Sequence, residues 1–204
     1  MKSVLFVCHG NICRSPMAEF IFKKMVRDAG FTLWGESGVA GKGAEMEKAG
    51  ADLRARDGIF AGDGKGGEEK VMAEGKDRLG IGVRDVFRVD SAAVSYEEIG
   101  NDIYPPAKRT LSAHGIPFGR HSAHRASDAE ASGYDVIVIM DSSNRRLLSR
   151  IISTENMSKV HSMMEYAGRD SDVSDPWYTG DFERTYRDIS EGCAGLLEEL
   201  VKTE

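Results

Sequence analysis

The stretch VCHGNICRSP, Val7-Cys8-His9-Gly10-Asn11-Ile12-Cys13-Arg14-Ser15-Pro16, puts two of the chain's three cysteines in one short turn containing Gly and Asn, followed by Arg-Ser-Pro. A redox pair, a metal clip and a phosphate cradle all fit such a turn. Its flanks set the context. Val4 to Val7 is a short apolar run that stops at the turn, as a strand buried on both faces would. After the turn, Ser15 is a good N-cap and Pro16 suits the first helical position, where its missing N–H costs nothing. Met17, Phe20, Ile21 and Met25 then recur at helical spacing until Gly30, a plausible stop. The unit is strand, loop, helix.

The chain has 204 residues, 41% hydrophobic and 29% charged, enough for one domain with a proper core. Its net charge of −6 gives no overall basic field of the kind that concentrates a protein on nucleic acid or anionic lipid. Neither partner is expected, and any anion must be met by a local site. The apolar run near the N-terminus is too short for a signal-peptide core or a membrane span, so a cytoplasmic protein without membrane insertion is expected. Cys8, Cys13 and Cys193 are too few and scattered for a secreted disulfide framework, and no Cys/His spacing reads as structural zinc. That disfavours the metal clip.

Further along, Val136 to Met140 reads as a second buried strand, with a helix over Arg145 to Ile152. Shorter strands are expected near Lys159 to Met163 and Phe87 to Ser91. Phe182, Tyr186, Ile189, Cys193, Leu196, Leu197, Leu200 and Val201 form one stripe of a C-terminal amphipathic helix, which makes Cys193 a structural thiol. Alternating strands and helices imply an α/β fold, a parallel sheet with helices on both faces. From about Gly35 to Gly82 the character changes: the window holds 13 of the 23 glycines and one aromatic, Phe60. Ala44 to Arg56 and Glu68 to Leu79 are candidate exposed helices, but the Gly-rich joints favour a flexible insertion. The expectation is one domain over residues 1–204, interrupted at about 35–82.

Ligands of open α/β sheets sit beyond the carboxyl ends of the strands, where Cys8 to Ser15 lies. Backbone N–H groups of a tight turn, with the positive end of the following helix, make an anion site suited to a phosphoryl group. The spacing Cys8-x5-Arg14 lets a thiolate sit beneath phosphorus while the planar guanidinium grips two outer oxygens. The same positive surroundings lower a thiol pKa, and Ser15 can hydrogen-bond the sulfur. Asp175, on the polar loop Asp172-Val173-Ser174-Asp175-Pro176-Trp177-Tyr178, is the candidate proton donor to the leaving oxygen and then the base for water. No metal or cofactor is required. Trp177 and Tyr178 beside that acid read as a wall for an aryl substrate.

Val7 to Glu19 closely resembles the signature of low-molecular-weight protein tyrosine phosphatases, and Asp175-Pro176-Trp177-Tyr178 looks like that family's acid loop. Asp90-Ser91-Ala92, Tyr104-Pro105-Pro106-Ala107, His114-Gly115-Ile116, Met140-Asp141 with Asn144, and Gly180-Asp181-Phe182-Glu183 match as well. The resemblance covers nearly everything but the Gly35–Gly82 window. It implies a four-stranded parallel sheet of flavodoxin-like, phosphotyrosine phosphatase I-like type. It also implies Cys8 as nucleophile, Arg14 as phosphate clamp, Ser15 as thiolate partner and Asp175 as general acid. The phosphate loop would run through His9, Gly10, Asn11, Ile12, Cys13, Arg14 and Ser15. Asn11, Ser91 and His121 would form the polar network that holds its shape, and Cys13 would be a protective redox partner of Cys8.

Three departures stand out: His9 where the family is more often apolar or Thr, Ala93 for a common Gly, and the insertion. His9 faces the mouth in this reading, and the insertion links the first helix to the second strand at the edge remote from catalysis. The implied function is metal-independent hydrolysis of phosphotyrosine in protein substrates, with a tyrosine kinase as an unidentified counterpart. Arsenate reduction, phosphoarginine hydrolysis and non-catalytic phosphate binding are the alternatives. Arsenate reduction needs a relay of further cysteines, and in the family an aliphatic residue at the position of Ile12 goes with tyrosine rather than arginine substrates.

Overall fold

The computed structural model describes residues 1–36 and 86–202. The expected flexible insertion, with the candidate helices Ala44–Arg56 and Glu68–Leu79, falls almost wholly outside them.

The opening apolar run is the middle of β1 (Lys2–Cys8), in which every residue from Ser3 onward is buried. Its side chains alternate between two cores, as the two-residue period of a strand requires. Val4, Phe6 and Cys8 face one core, and Leu5 and Val7 the other. On the first side lie α1 (Arg14–Asp28), α2 (Pro105–Ala113) and α7 (Phe182–Lys202), contributing Met17, Phe22, Ala107, Leu111, Ile189 and Leu196. On the second, Ala131 of α3 (Asp128–Ser132) and Leu148 of α4 (Ser142–Leu148) close over the sheet, with Met157 of α5 (Thr154–Met157) packed against this core. Edge-to-face contacts link Phe6, Phe22, Phe87 and Phe31 through the first core. Among the described residues no helix is long and apolar enough to cross a membrane.

The sheet is wholly parallel, in the order β2-β3-β1-β4-β5, with β2 at Thr32–Leu33, β3 at Val86–Ala93, β4 at Val136–Ile139 and β5 at Val160–Ser162. Among the described residues the expected four strands are therefore five. The extra one is the two-residue β2, which forms because the chain turns out of α1 at Gly30 (φ 85°) and buries Leu33 beside Phe87. In β3, Phe87 stands opposite Lys2 and Ala93 opposite Cys8, so Val86 lies at the end of the sheet away from Cys8. Glu36 leaves from that same end, where Trp34 N–H donates to Phe87 C=O.

Two local readings change. The first helix begins at Arg14, which puts Ser15 and Pro16 inside its first turn; Cys13 holds the cap position without a side-chain bond. The Arg145–Ile152 helix starts earlier, at Ser142, because the Asp141 carboxylate accepts from Asn144 N–H as its cap. Along α7, an added Cβ at Gly192 would lie 2.6 Å from the Met163 carbonyl oxygen, and one at Gly195 would collide with that of Tyr166. The helix thus presses directly on the 3-10 turn Met163–Ala167.

Candidate active site

β1 delivers Cys8 to the carboxyl edge of the sheet, and the chain turns back at once into α1. That reversal puts Asn11 in the left-handed region at φ 57°, the conformation that Asn tolerates better than most side chains. Its amide holds the turn. Nδ2 donates to Ser15 Oγ and to Ser91 Oγ, each at 2.9 Å, and Oδ1 accepts from His124 N–H. Ser91 passes its own proton to Glu19 at 2.6 Å. His121 Nε2 lies 2.6 Å from the Asn11 carbonyl, and since a carbonyl only accepts, the imidazole proton is on Nε2. The expected trio of Asn11, Ser91 and His121 is thus brought together, extended by Glu19.

Cys8 Sγ is 3.0 Å from Ser15 Oγ and accepts from Asn11 N–H at 3.3 Å. Ser15 Oγ accepts from Asn11, and its own proton can go to the sulfur or to the more distant Ala92 carbonyl at 3.4 Å. Among the described residues, no protein acceptor meets the backbone N–H of Gly10, Ile12, Cys13, Arg14 or Ser15. A curl of amides at a helix start, without internal partners, is a site for an anion.

Arg14 is almost fully buried, and its fork is divided between two carboxylates: Nη1 to Asp141 at 2.5 Å and Nη2 to Asp175 at 2.7 Å. Burial works against its charge, but Cys8, Asp175 and Asp141 outweigh that and raise its pKa. Asp141 is likewise opposed by burial, yet the Ser143 hydroxyl and Arg14 hold it below the usual carboxylate range. Cys13 is pushed up to about 12, first by burial and then by Cys8 and Asp175, so it stays a neutral thiol. All three cysteines are free, and Cys193 is fully buried in α7.

Asp175 caps α6 (Pro176–Thr179) through Oδ1, which accepts from Trp177 N–H at 3.0 Å, while Oδ2 faces Arg14. Trp177 leans on Tyr104 with ring centroids 5.6 Å apart, and Tyr178 is exposed. Cys8, His9, Gly10, Ile12, Cys13, Arg14, Asp175, Trp177 and Tyr178 all line one cleft of about 170 Å³. His9 sits half-exposed at its mouth, hydrogen-bonded to Glu97 at 3.0 Å.

Sequence reasoning gave no role to four acidic neighbours: Glu19 and Asp141, quoted there only as motif residues, and Glu97 and Glu98. Asp141 follows directly on a buried strand, the position where ligands gather, and that signal was available. Glu19 is a charge among the apolar residues of α1, four positions after Ser15. Nothing local marked Glu97 or Glu98, which reach the cleft from the loop after β3.

The low molecular weight phosphotyrosine protein phosphatase profile matches residues 3–60 and 68–204. Low molecular weight protein-tyrosine-phosphatase YfkJ of Bacillus subtilis is 31% identical, over 99% of this chain and 97% of that protein. The human low molecular weight phosphotyrosine protein phosphatase is 28% identical, over 97% and 94%. The crystal structure of YfkJ superposes with a TM-score of 0.69, covering 100% of this chain and 97% of that one. SP-PTP of Streptococcus pyogenes gives 0.65 at 25% identity, covering 100% and 95%. A profile spanning nearly the whole chain, and a 31% identical relative aligned over almost all of both proteins, establish the kinship: the chain belongs to the low molecular weight phosphotyrosine protein phosphatase family.

Proposed function

We propose that this protein hydrolyses phosphotyrosine in proteins, and aryl phosphates generally, through a cysteinyl-phosphate intermediate and without a metal. The observation that carries this is the convergence of Cys8 Sγ, the unpartnered amides, Arg14 and Asp175 on one cleft. The sulfur attacks phosphorus; the P–S bond forms as the P–O bond to the ring breaks, and Asp175 protonates the departing phenolate. Water, deprotonated by Asp175, then displaces the sulfur and releases inorganic phosphate. The amides and the guanidinium meet the charge on the phosphoryl oxygens, the task a metal would otherwise perform.

The incoming dianion displaces Asp175 from Arg14 Nη2; the released carboxylate takes up a proton from solvent and turns toward the leaving oxygen, while Asp141 keeps Nη1 aligned. Ile12, Trp177 and Tyr178 offer apolar surface for a phenyl ring, which supports tyrosine over arginine substrates. Arsenate reduction gains no support, since Cys13 is a neutral buried thiol and Cys193 is locked in α7. The partners in this reading are cytoplasmic phosphotyrosine proteins, opposed by whichever tyrosine kinase modifies them.

The test is p-nitrophenyl phosphate turnover without added metal. Cys8→Ser should abolish it. Asp175→Ala should lose about 10²–10⁴-fold on phosphotyrosine, whose leaving group needs a proton, and markedly less on p-nitrophenyl phosphate. Turnover surviving Cys8→Ser would sink the mechanism, and thiol-dependent arsenate reduction without ester hydrolysis would favour the other chemistry.

A further inference from the structure

The rim of the cleft carries negative charge where an anionic substrate must enter. Glu98 lies across the loop itself: a Cβ at Gly10 would stand 3.0 Å from Glu98 Cγ, so the glycine is what allows this close approach. Asn101 Nδ2 donates to Glu98 Oε2 at 2.7 Å and fixes the carboxylate in place. On the other side of Arg14 the cleft continues into a polar groove of about 340 Å³. The two share His9, Arg14, Asp175 and Tyr178, and the groove adds Asp141, Ser142, Ser143 and Asp172. Asp172 is held by Ser142, whose N–H and hydroxyl donate to it at 3.1 and 3.3 Å.

Of the described residues lining the cleft or the groove, only Arg14 and His9 can be positive. Arg145 and Arg169 share a separate depression with Asp172, but they are paired with Glu165 and with Asp188 and Glu191. Arg14 is committed to Asp141 and Asp175, and His9 to Glu97. Among the described residues, neither Glu98 nor Asp172 has a Lys, Arg or His within ion-pairing distance, and they flank the anion site from opposite sides. Fixed carboxylates there repel a bare phosphate ester. They are useful if the substrate brings its own positive charge.

We propose that Glu98 and Asp172 select phosphotyrosine segments with Lys or Arg beside the phosphorylated residue. This rests on the phosphatase reading above. The phosphoryl group enters the amide curl, and the neighbouring ammonium or guanidinium groups of the peptide pair with Glu98 on one side and Asp172 on the other.

The experiment compares kcat/KM for three phosphotyrosine peptides differing only in Lys, Ala or Asp neighbours. It uses the wild type and the double variant Glu98→Gln, Asp172→Asn, each value divided by the same enzyme's rate on p-nitrophenyl phosphate. The Lys peptide should exceed the Asp peptide by about fivefold to tenfold at low salt, the size expected of two partly exposed ion pairs. The ratio should shrink as added salt shortens the screening length, and fall to about twofold in the double variant. Equal rates on all three peptides, or discrimination that persists in the double variant, would overturn the inference while p-nitrophenyl phosphate turnover leaves the phosphatase reading standing. Free phosphoarginine turned over faster than every peptide would overturn it too, by assigning the cation to the phosphorylated residue itself. No p-nitrophenyl phosphate turnover would take down both readings.

Discussion

At the scale of single residues, Asn11 couples backbone strain to the polar network. Its φ of 57° costs a residue with a Cβ about 1–2 kcal/mol unless the side chain compensates, and here the amide bonds Ser15 and Ser91 in a buried setting. Asn11→Ala should therefore lose stability on both counts, about 2–4 kcal/mol. Asn11→Gly keeps the turn but not the bonds, and should be about 1 kcal/mol less damaging. Urea unfolding of the two variants makes the comparison; equal losses would mean the backbone is not strained. Cys8, Arg14 and Ser15 were legible because their chemistry and spacing lie within one local stretch. Ser15 lies 3.0 Å from the Cys8 sulfur, but it was misread as a cap, a position that Cys13 holds; the same hydroxyl chemistry suits either place. Glu98 was invisible, because its approach to Gly10 depends on how a distant loop folds back.

At the scale of elements, α7 shows where periodicity stops being informative. The stripe of Ile189, Cys193 and Leu196 identified its buried face, and those residues are buried. Gly192 and Gly195 look like weak points in a helix; instead they are the surface on which the Met163–Ala167 turn rests. Propensity alone favours Ala over Gly in a helix by about 1 kcal/mol. Gly195→Ala should nevertheless destabilise by about 1–3 kcal/mol, because the new methyl meets the Tyr166 carbonyl and the helix must lift. Thermal melting is the measurement, and a rise in melting temperature would mean the contact is looser than this geometry. The strands β1 and β4 were legible as unbroken apolar runs, whereas the two-residue β2 has no pattern long enough to read.

At the scale of the whole molecule, the parallel order implied by alternating strands and helices stands, with one strand more than expected. Glu36, at the start of the glycine-rich window, and Val86, just past its end, both sit at the end of the sheet opposite Cys8. Replacing residues 37–82 by a short linker should thus leave p-nitrophenyl phosphate turnover within about twofold, since changing the length of a connection costs little by itself. A collapse in turnover with a normal melt would place that window in the working of the site.

The central position of β1 reaches back to how the protein is made. It leaves the ribosome before the other described strands, yet its neighbours are β3 and β4: Val4 pairs with Val89 on one side and Val136 on the other. The support of the Cys8 turn comes equally late in synthesis, from Ser91, His121 and His124. Contacts so distant along the chain cannot form until their later partners have been synthesised, and closing them is intrinsically slow. The nascent polypeptide therefore carries Cys8 outside its finished cradle until β3 and β4 have been made, and the cradle closes only when the sheet does.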